Sequence, residues 1–260
     1  MKLGMVTYNM GKDMELRQLV ALCEETGLEG VELRTTHRHG VEVELSKDQR
    51  AEVKALFADS PVELAGLGSA FDYHDPDPAK VKANVEGSIE YAKLAADVGC
   101  PGIKVRPNGL PEEVPVEKTC EQIGNALSQV ATFAEGIGVE VRLEVHGRGT
   151  SEPAIARKIM DFANHPNALL CWNSNGTDMD ENGSIDANFD LLKDKIALVH
   201  INEIGIQKYP WQRLFDRLTD MGYEGFCLAE IPHNPDPERF MKYYRTLFDL
   251  YTGTYSWPRQ

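Results

Sequence analysis

Apolar residues along this chain keep two alternating rhythms. In KLGMVTY the run from Leu3 to Thr7 is short and nearly continuous, which predicts a buried strand; in DMELRQLVALCEETG apolar positions recur at helical spacing until Gly27. The pair returns as GVELR with SKDQRAEVKALFAD, VELAGLG with DPAKVKANVEGSIEYAKLAADVG, and GIKVR with PVEKTCEQIGNALSQVATFAEGIG. Ser46 and Gln49 have the spacing of a capping box, and Pro78 and Pro115 stand where a first helical turn accepts proline. The second half continues with VEVRLEV and SEPAIARKIMDFAN, ALLCWN and a short helix around DANFDLLK, KIALVHIN and YPWQRLFDRLTDMG, then GFCLAEI and DPERFMKYYRTLFDLY. That makes eight strand-helix units.

Alternating strands and helices with fully apolar strands leave an open doubly wound sheet or a closed barrel. Eight units in 260 residues are what a (β/α)8 TIM barrel needs, and a single barrel domain over residues 1–260 is the expected fold. Gly66-Leu67-Gly68 lacks the third glycine of a dinucleotide fingerprint. Composition agrees with a well-packed core, at 42% hydrophobic and 26% charged residues.

A formal net charge of −14 repels phosphate backbones, so nucleic acid is not an expected partner. No stretch reaches the ~18 apolar residues of a membrane span, and the short apolar run at the N-terminus is not a signal peptide; a cytoplasmic protein is expected. Cys23, Cys100, Cys120, Cys171 and Cys227 form no C-x-x-C pair and read as reduced, buried side chains.

Barrel active sites form at the C-terminal ends of the strands. His37, His39, His74, His146, His200 and His233 fall at or just beyond such ends, and only His165 closes a helix. Glu144 in RLEVHG and Glu230 in LAEIP lie near the ends of otherwise apolar strands, where a carboxylate is costly unless paired, hydrogen-bonded or bound to a cation. Glu144, Asn173, His200 and Glu230 come from the fifth to eighth strands in turn, so the barrel can gather them around one divalent ion. Oxygen and imidazole donors suit a divalent ion such as Mn²⁺, Mg²⁺, Co²⁺ or Zn²⁺, and Mn²⁺ is the expected one.

The stretches GVELR, RLEVHG, ALLCWNSN, VHINEIG and GYEGFCLAEI resemble the sugar phosphate isomerase/epimerase group of xylose isomerase-like barrels, over most of the chain and most sharply from Val139 to Ile231. That resemblance implies Glu144, position 173, His200 and Glu230 as metal ligands. It departs at Asn173, where the group usually has aspartate, and at Gly176, where many members carry histidine. An asparagine ligates without charge, so two carboxylates and a divalent ion would sum to neutral. Weaker ion retention and a stronger Lewis acid are expected.

The resemblance further implies proton transfer next to a sugar carbonyl through an enediolate, with Glu144 and Glu230 as acid and base. If a leaving group stands β to the carbonyl, the same chemistry ends in elimination, as in lyases acting on 3-keto-glycosides; His146 would then serve the departing group. Arg34, His37, Lys104, Arg106, Trp172 and Glu203 are candidate contacts to a small sugar or keto-sugar, with Trp172 stacking on the sugar face. Homo-oligomers are compatible with these features. A sugar-binding barrel without catalysis is the alternative from another class, and a related DNA-repair endonuclease is disfavoured by Gly176 and by the charge.

Two local motifs compete for the loop after ALLCWN. DMDENGSID begins like a calcium-binding loop, but Phe189 replaces its last carboxylate, so a polar turn is expected. Asn175-Gly176-Thr177 and Asn182-Gly183-Ser184 match glycosylation acceptors by chance.

Overall fold

A strand covered on both sides reads as an unbroken apolar run, and the eight runs in this chain close on one another. In the computed structural model, which describes residues 1–206 and 208–256, the strands are β1 (Lys2–Val6), β2 (Gly30–Arg34), β3 (Glu63–Asp72), β4 (Gly102–Arg106), β5 (Glu140–Glu144), β6 (Ala168–Trp172), β7 (Ile196–Ile201) and β8 (Phe226–Ala229). Each pairs in parallel with the next, and β8 pairs with β1, giving a closed barrel. The covering helices are α1 (Leu16–Thr26), α2 (Lys47–Ala58), α3 (Pro78–Val98), α4 (Val116–Glu135), α5 (Pro153–Ala163), α6 (Asp186–Leu192), α7 (Trp211–Asp220) and α8 (Pro237–Thr252). The expected TIM barrel is therefore the fold.

Local signals act as the sequence foretells, with small shifts. Ser46 Oγ accepts the Gln49 backbone N–H at 3.3 Å, while Gln49 Oε1 accepts that of Ser46 at 2.9 Å, which starts α2. Pro78 opens α3 behind an Asp77 cap, whereas Pro115 is itself the residue before α4 rather than its first helical position. Gly27 ends α1 at φ 72°, a left-handed conformation that costs glycine little. The first strand runs Lys2–Val6, one residue earlier than its apolar run suggests, and β6 stops at Trp172, leaving Asn173 just outside.

Strand alternation divides the core. Outward-facing residues pack on the helices, while Val6, Ala65, Cys171, Leu198, Phe226 and Leu228 form a separate apolar cluster. Glu32, Lys104, Arg142, Glu144 and His200 are also buried on these strands, and such charges persist only when they answer one another.

The glycines of β3 make room for one of them. Gly66 pairs with Glu32 and Gly68 with Arg34 across the β2–β3 ladder. A Cβ on Gly68 would lie 2.7 Å from Glu32 Oε1, and one on Gly66 would lie 3.2 Å from Glu32 Oε2. Gly66-Leu67-Gly68 is thus a gap that admits a carboxylate into the barrel, not a remnant of a nucleotide loop.

Candidate active site

The C-terminal ends of the strands surround a cavity of ≈ 420 Å³, lined by Tyr8, Arg34, Lys104, Arg106, Glu144, His146, Asn173, Asn175, Asn202 and Glu230. This is the end at which barrels of this class place their chemistry. At its floor Glu144, His200 and Glu230 each offer a donor atom, all within 4.8 Å of one another. His200 Nδ1 lies 3.6 Å from Glu144 Oε1 and 3.6 Å from Glu230 Oε2. Its other nitrogen, Nε2, lies 3.4 Å from Glu32 Oε2.

These donors fit a divalent cation. His200 Nδ1 and Asn173 Oδ1 are each buried without a hydrogen-bond partner, which leaves two polar atoms of the site open to a ligand. A carboxylate on the far nitrogen of a ligating histidine fixes its tautomer and raises its basicity, which is what Glu32 offers His200. With the carboxylates of Glu144 and Glu230 the set becomes two anionic oxygens, one imidazole and one amide oxygen. Nothing in its softness selects one metal among the hard and borderline divalent ions.

A strained turn follows Asn173. Ser174 sits at φ 44°, a left-handed conformation costly for a residue with a Cβ. Its Oγ donates to the His200 carbonyl at 2.8 Å, and Asn202 Nδ2 donates to the Ser174 carbonyl at 3.2 Å. Asn175 Nδ2 donates to the Val145 carbonyl at 2.6 Å. The segment after β6 is therefore tied to β7 and to the end of β5, and it cannot behave as a free loop.

The buried charges set one another's protonation. Burial would raise the pKa of Glu144, but the Lys104 ammonium, 2.5 Å away, and His200 hold it well below the usual carboxylate range. Burial likewise opposes ionisation of Glu230, and the close approach of His200 brings it below its ordinary value. His200 is depressed by burial and raised more strongly by Cys171, Glu32 and Glu144, ending well above an ordinary histidine. Lys104 follows the same logic, with the negative charges of Glu144 and Glu32 outweighing desolvation.

Glu144, Glu230, His146, Arg34, Lys104, Arg106 and Asn173 all line the cavity, as the sequence leads one to expect, and His200 lies beneath it. Asn108 governs His146: its Nδ2 donates to Asp72 Oδ2 at 3.0 Å, which turns its Oδ1 toward His146 Nδ1 at 3.2 Å. An amide oxygen at that distance favours the tautomer with hydrogen on Nδ1.

Three expected contacts lie elsewhere. Trp172 is fully buried, its ring 5.5 Å from Phe189 and its Nε1 donating to Tyr209 Oη at 3.0 Å, so it packs and does not stack on a ligand. The strand alternation that turns His200 inward turns Trp172 outward. His37 stays outside the cavity, 3.3 Å from Thr7 Oγ1, and burial with the nearby Arg34 charge lowers its pKa. Glu203 lines an adjoining cavity of ≈ 310 Å³ that shares Asn202 with the first.

Most of the clustered histidines are structural. His39 is pushed down to about 4 by burial, its Nε2 donating to the Arg34 carbonyl and its Nδ1 accepting from Val41. His74 lies 3.3 Å from Asp72, and His233 is exposed. The loop resembling a calcium site spends its carboxylates on itself: Asp180 Oδ1 accepts from Asn182 and Ser184, and Asp178 is buried against Tyr209.

Sequence reasoning passed over Glu32, Tyr8, Asn175 and Asn202. The signal for Glu32 is present in GVELR, where a carboxylate sits inside an apolar strand two residues before Arg34 and on the same face. The others lie in loops that carry no periodicity.

Fold and mouth together define a (β/α)8 barrel with a carboxylate–imidazole site built on its last four strands. The sequence profile of the xylose isomerase-like TIM barrel family matches residues 20–246, and the chain belongs to that family. No curated protein shows a significant sequence match to it. Among solved structures it is similar to L-ribulose 3-epimerase, with a TM-score of 0.82 at 19% identity over 97% of this chain and 95% of the other. It is also similar to the apo form of 3-keto-D-glucoside 4-epimerase, YcjR, from E. coli, with a TM-score of 0.78 at 17% identity over 97% and 99%. A third is the IOLI protein with a bound zinc atom, at 0.79 and 17% identity over 98% and 99%. At these identities the likeness is one of fold.

Proposed function

We propose that this protein is an isomerase or epimerase that moves a proton next to a sugar carbonyl, through an enediolate, with the help of a divalent cation such as Mn²⁺. The observation that carries this reading is the convergence of Glu144, His200 and Glu230 within 4.8 Å at the mouth of the barrel, in a cavity that Asn173 also lines. The names of two structural neighbours, a ribulose epimerase and a keto-glucoside epimerase, support the same class.

A bound cation supplies Lewis acidity, stabilising negative charge on the sugar oxygens as the C–H proton leaves. The protein's part is to hold and move that proton. Glu230 keeps 16% of its side chain exposed to the cavity, while Glu144 keeps 3% and is locked to Lys104. Glu230 is thus the better placed acceptor, and the Lys104–Glu144 pair keeps a proton within reach of the other side of the substrate. His146 lines the same space.

Two measurements test this. Purified protein exposed to Mn²⁺ should retain about one ion per chain and Glu230→Ala should lose it; a wild type that binds none removes the site. Incubation with ketoses in D₂O should place deuterium on the carbon next to the carbonyl, and no label across a broad panel removes the reaction. Elimination from a 3-keto-glycoside is the second reading. It is favoured by the adjoining cavity at Asn202, lined in part by Met179, Tyr209 and Trp211, which leaves space for a departing group. Release of that group, alongside label, identifies it.

A further inference from the structure

We infer that the sugar held in this cavity carries an oxyanion, a carboxylate or phosphate, gripped by Arg34 and Arg106. The inference rests on the sugar reading above only in taking this cavity as the place where substrate binds.

Most other described arginines are answered by carboxylates; Arg17 and Arg239, outside the cavity, are not. Arg50, Arg142, Arg157, Arg213, Arg217 and Arg245 each have one within ion-pair distance, as a chain with 41 acidic residues makes easy. Arg34 and Arg106 both line the cavity, and neither guanidinium has an ion pair or hydrogen bond to any described residue. Arg106 Nε is buried with no partner at all. A buried guanidinium nitrogen left without a partner is unfavourable unless a ligand completes it, and the half-buried remainder of the group is open to the cavity.

The local charge points the same way. Arg34, Lys104 and Arg106 line the cavity against the carboxylates of Glu144 and Glu230, so its wall is positive before any cation binds, although the whole chain is at −14. A neutral ketose offers no compensation for that excess. An oxyanion does, and the planar fork of arginine matches two of its oxygens.

The fork is also held in advance. The Arg34 guanidinium lies over the Tyr8 ring, 5.1 Å from its centroid, which limits its freedom without using its donors. Arg34 and Arg106 end β2 and β4, whereas the proposed cation donors stand on or just beyond β5 to β8. The anionic group therefore meets residues of β2 and β4 rather than the cation donors themselves.

Binding of three matched six-carbon probes to Mn²⁺-loaded protein tests this by calorimetry: D-glucitol, D-gluconate and D-glucitol 6-phosphate. At least one anionic probe should bind about 10- to 100-fold more tightly than D-glucitol, the range of one or two charge-assisted hydrogen bonds. The tighter of the two names the group, carboxylate or phosphate. Arg106→Met and Arg34→Met should each remove about tenfold of that preference while leaving D-glucitol affinity and Mn²⁺ content unchanged, which a merely structural role would not do. Equal affinity for all three probes, or an equal loss for all three in the variants, overturns the inference. If anionic probes bind preferentially while no sugar exchanges deuterium, the oxyanion site stands and the proton-transfer reading falls.

Discussion

Replacing Glu32 by glutamine should weaken cation binding without unfolding the barrel. Glu32 is fully buried in β2, with Oε2 3.4 Å from His200 Nε2 and Oε1 unpartnered. Glutamine has the same shape and fits the gap left by Gly66 and Gly68, so the change removes charge and little else. The carboxylate is what makes His200 Nδ1 a stronger donor, and losing such a partner typically weakens metal binding about 10- to 100-fold, or about 1.4–2.7 kcal/mol. Titration of metal-free protein with Mn²⁺ reads the affinity directly, and far-UV circular dichroism with melting of the metal-free forms shows that the fold persists. A dissociation constant within about twofold of wild type would refute the role assigned to Glu32. So would a clear weakening by Glu144→Gln with none by Glu32→Gln, because the histidine would then need no orienting partner.

Gly68→Ala puts a methyl 2.7 Å from Glu32 Oε1, and should cost about 1–3 kcal/mol in urea unfolding as well as Mn²⁺ affinity; an unchanged affinity would show that Glu32 moves freely. Burial raises Asp178 from 3.8 to about 7, so between those values the folded state keeps a proton that the unfolded chain has released. Stability should therefore fall as pH rises from 4 to 7, by up to about 4 kcal/mol, then level off, and Asp178→Asn should flatten this part of the profile. Parallel urea-unfolding profiles for the two proteins would contradict it. Trp172→Phe removes the bond to Tyr209 and some packing on Phe189, and should cost about 1–3 kcal/mol of stability while leaving sugar affinity intact; lost sugar binding at unchanged stability would place Trp172 at the ligand after all.

Much of the site was legible because barrel strands are read by period. Once eight units are counted, RLEVHG, LAEIP and VHIN put Glu144, Glu230 and His200 at strand ends that the fold brings together. Lys104 and Arg106 follow from alternation on β4. Where the reading slipped, strand phase and loop geometry were the causes. Trp172 and Asn173 are neighbours, so one faces the helices and the other the mouth, and ALLCWN does not say which. His37, His39 and His74 share a location with His200, but loops turn them to Thr7, Arg34 and Asp72.

Alone, then, the sequence determined the element order, the barrel and the strands that carry the donors, because those depend on hydrophobic period and chain length. Only the tertiary structure decided which donors meet and what surrounds them. Glu32 reaches His200 from 168 residues away. It does so through a gap left by two glycines on a third strand, a fact about the space inside a closed barrel. Arg34 and Arg106 stay unanswered for the same kind of reason: which carboxylates come within reach of a guanidinium is settled by the packing of strands, and a linear pattern of residues does not contain it.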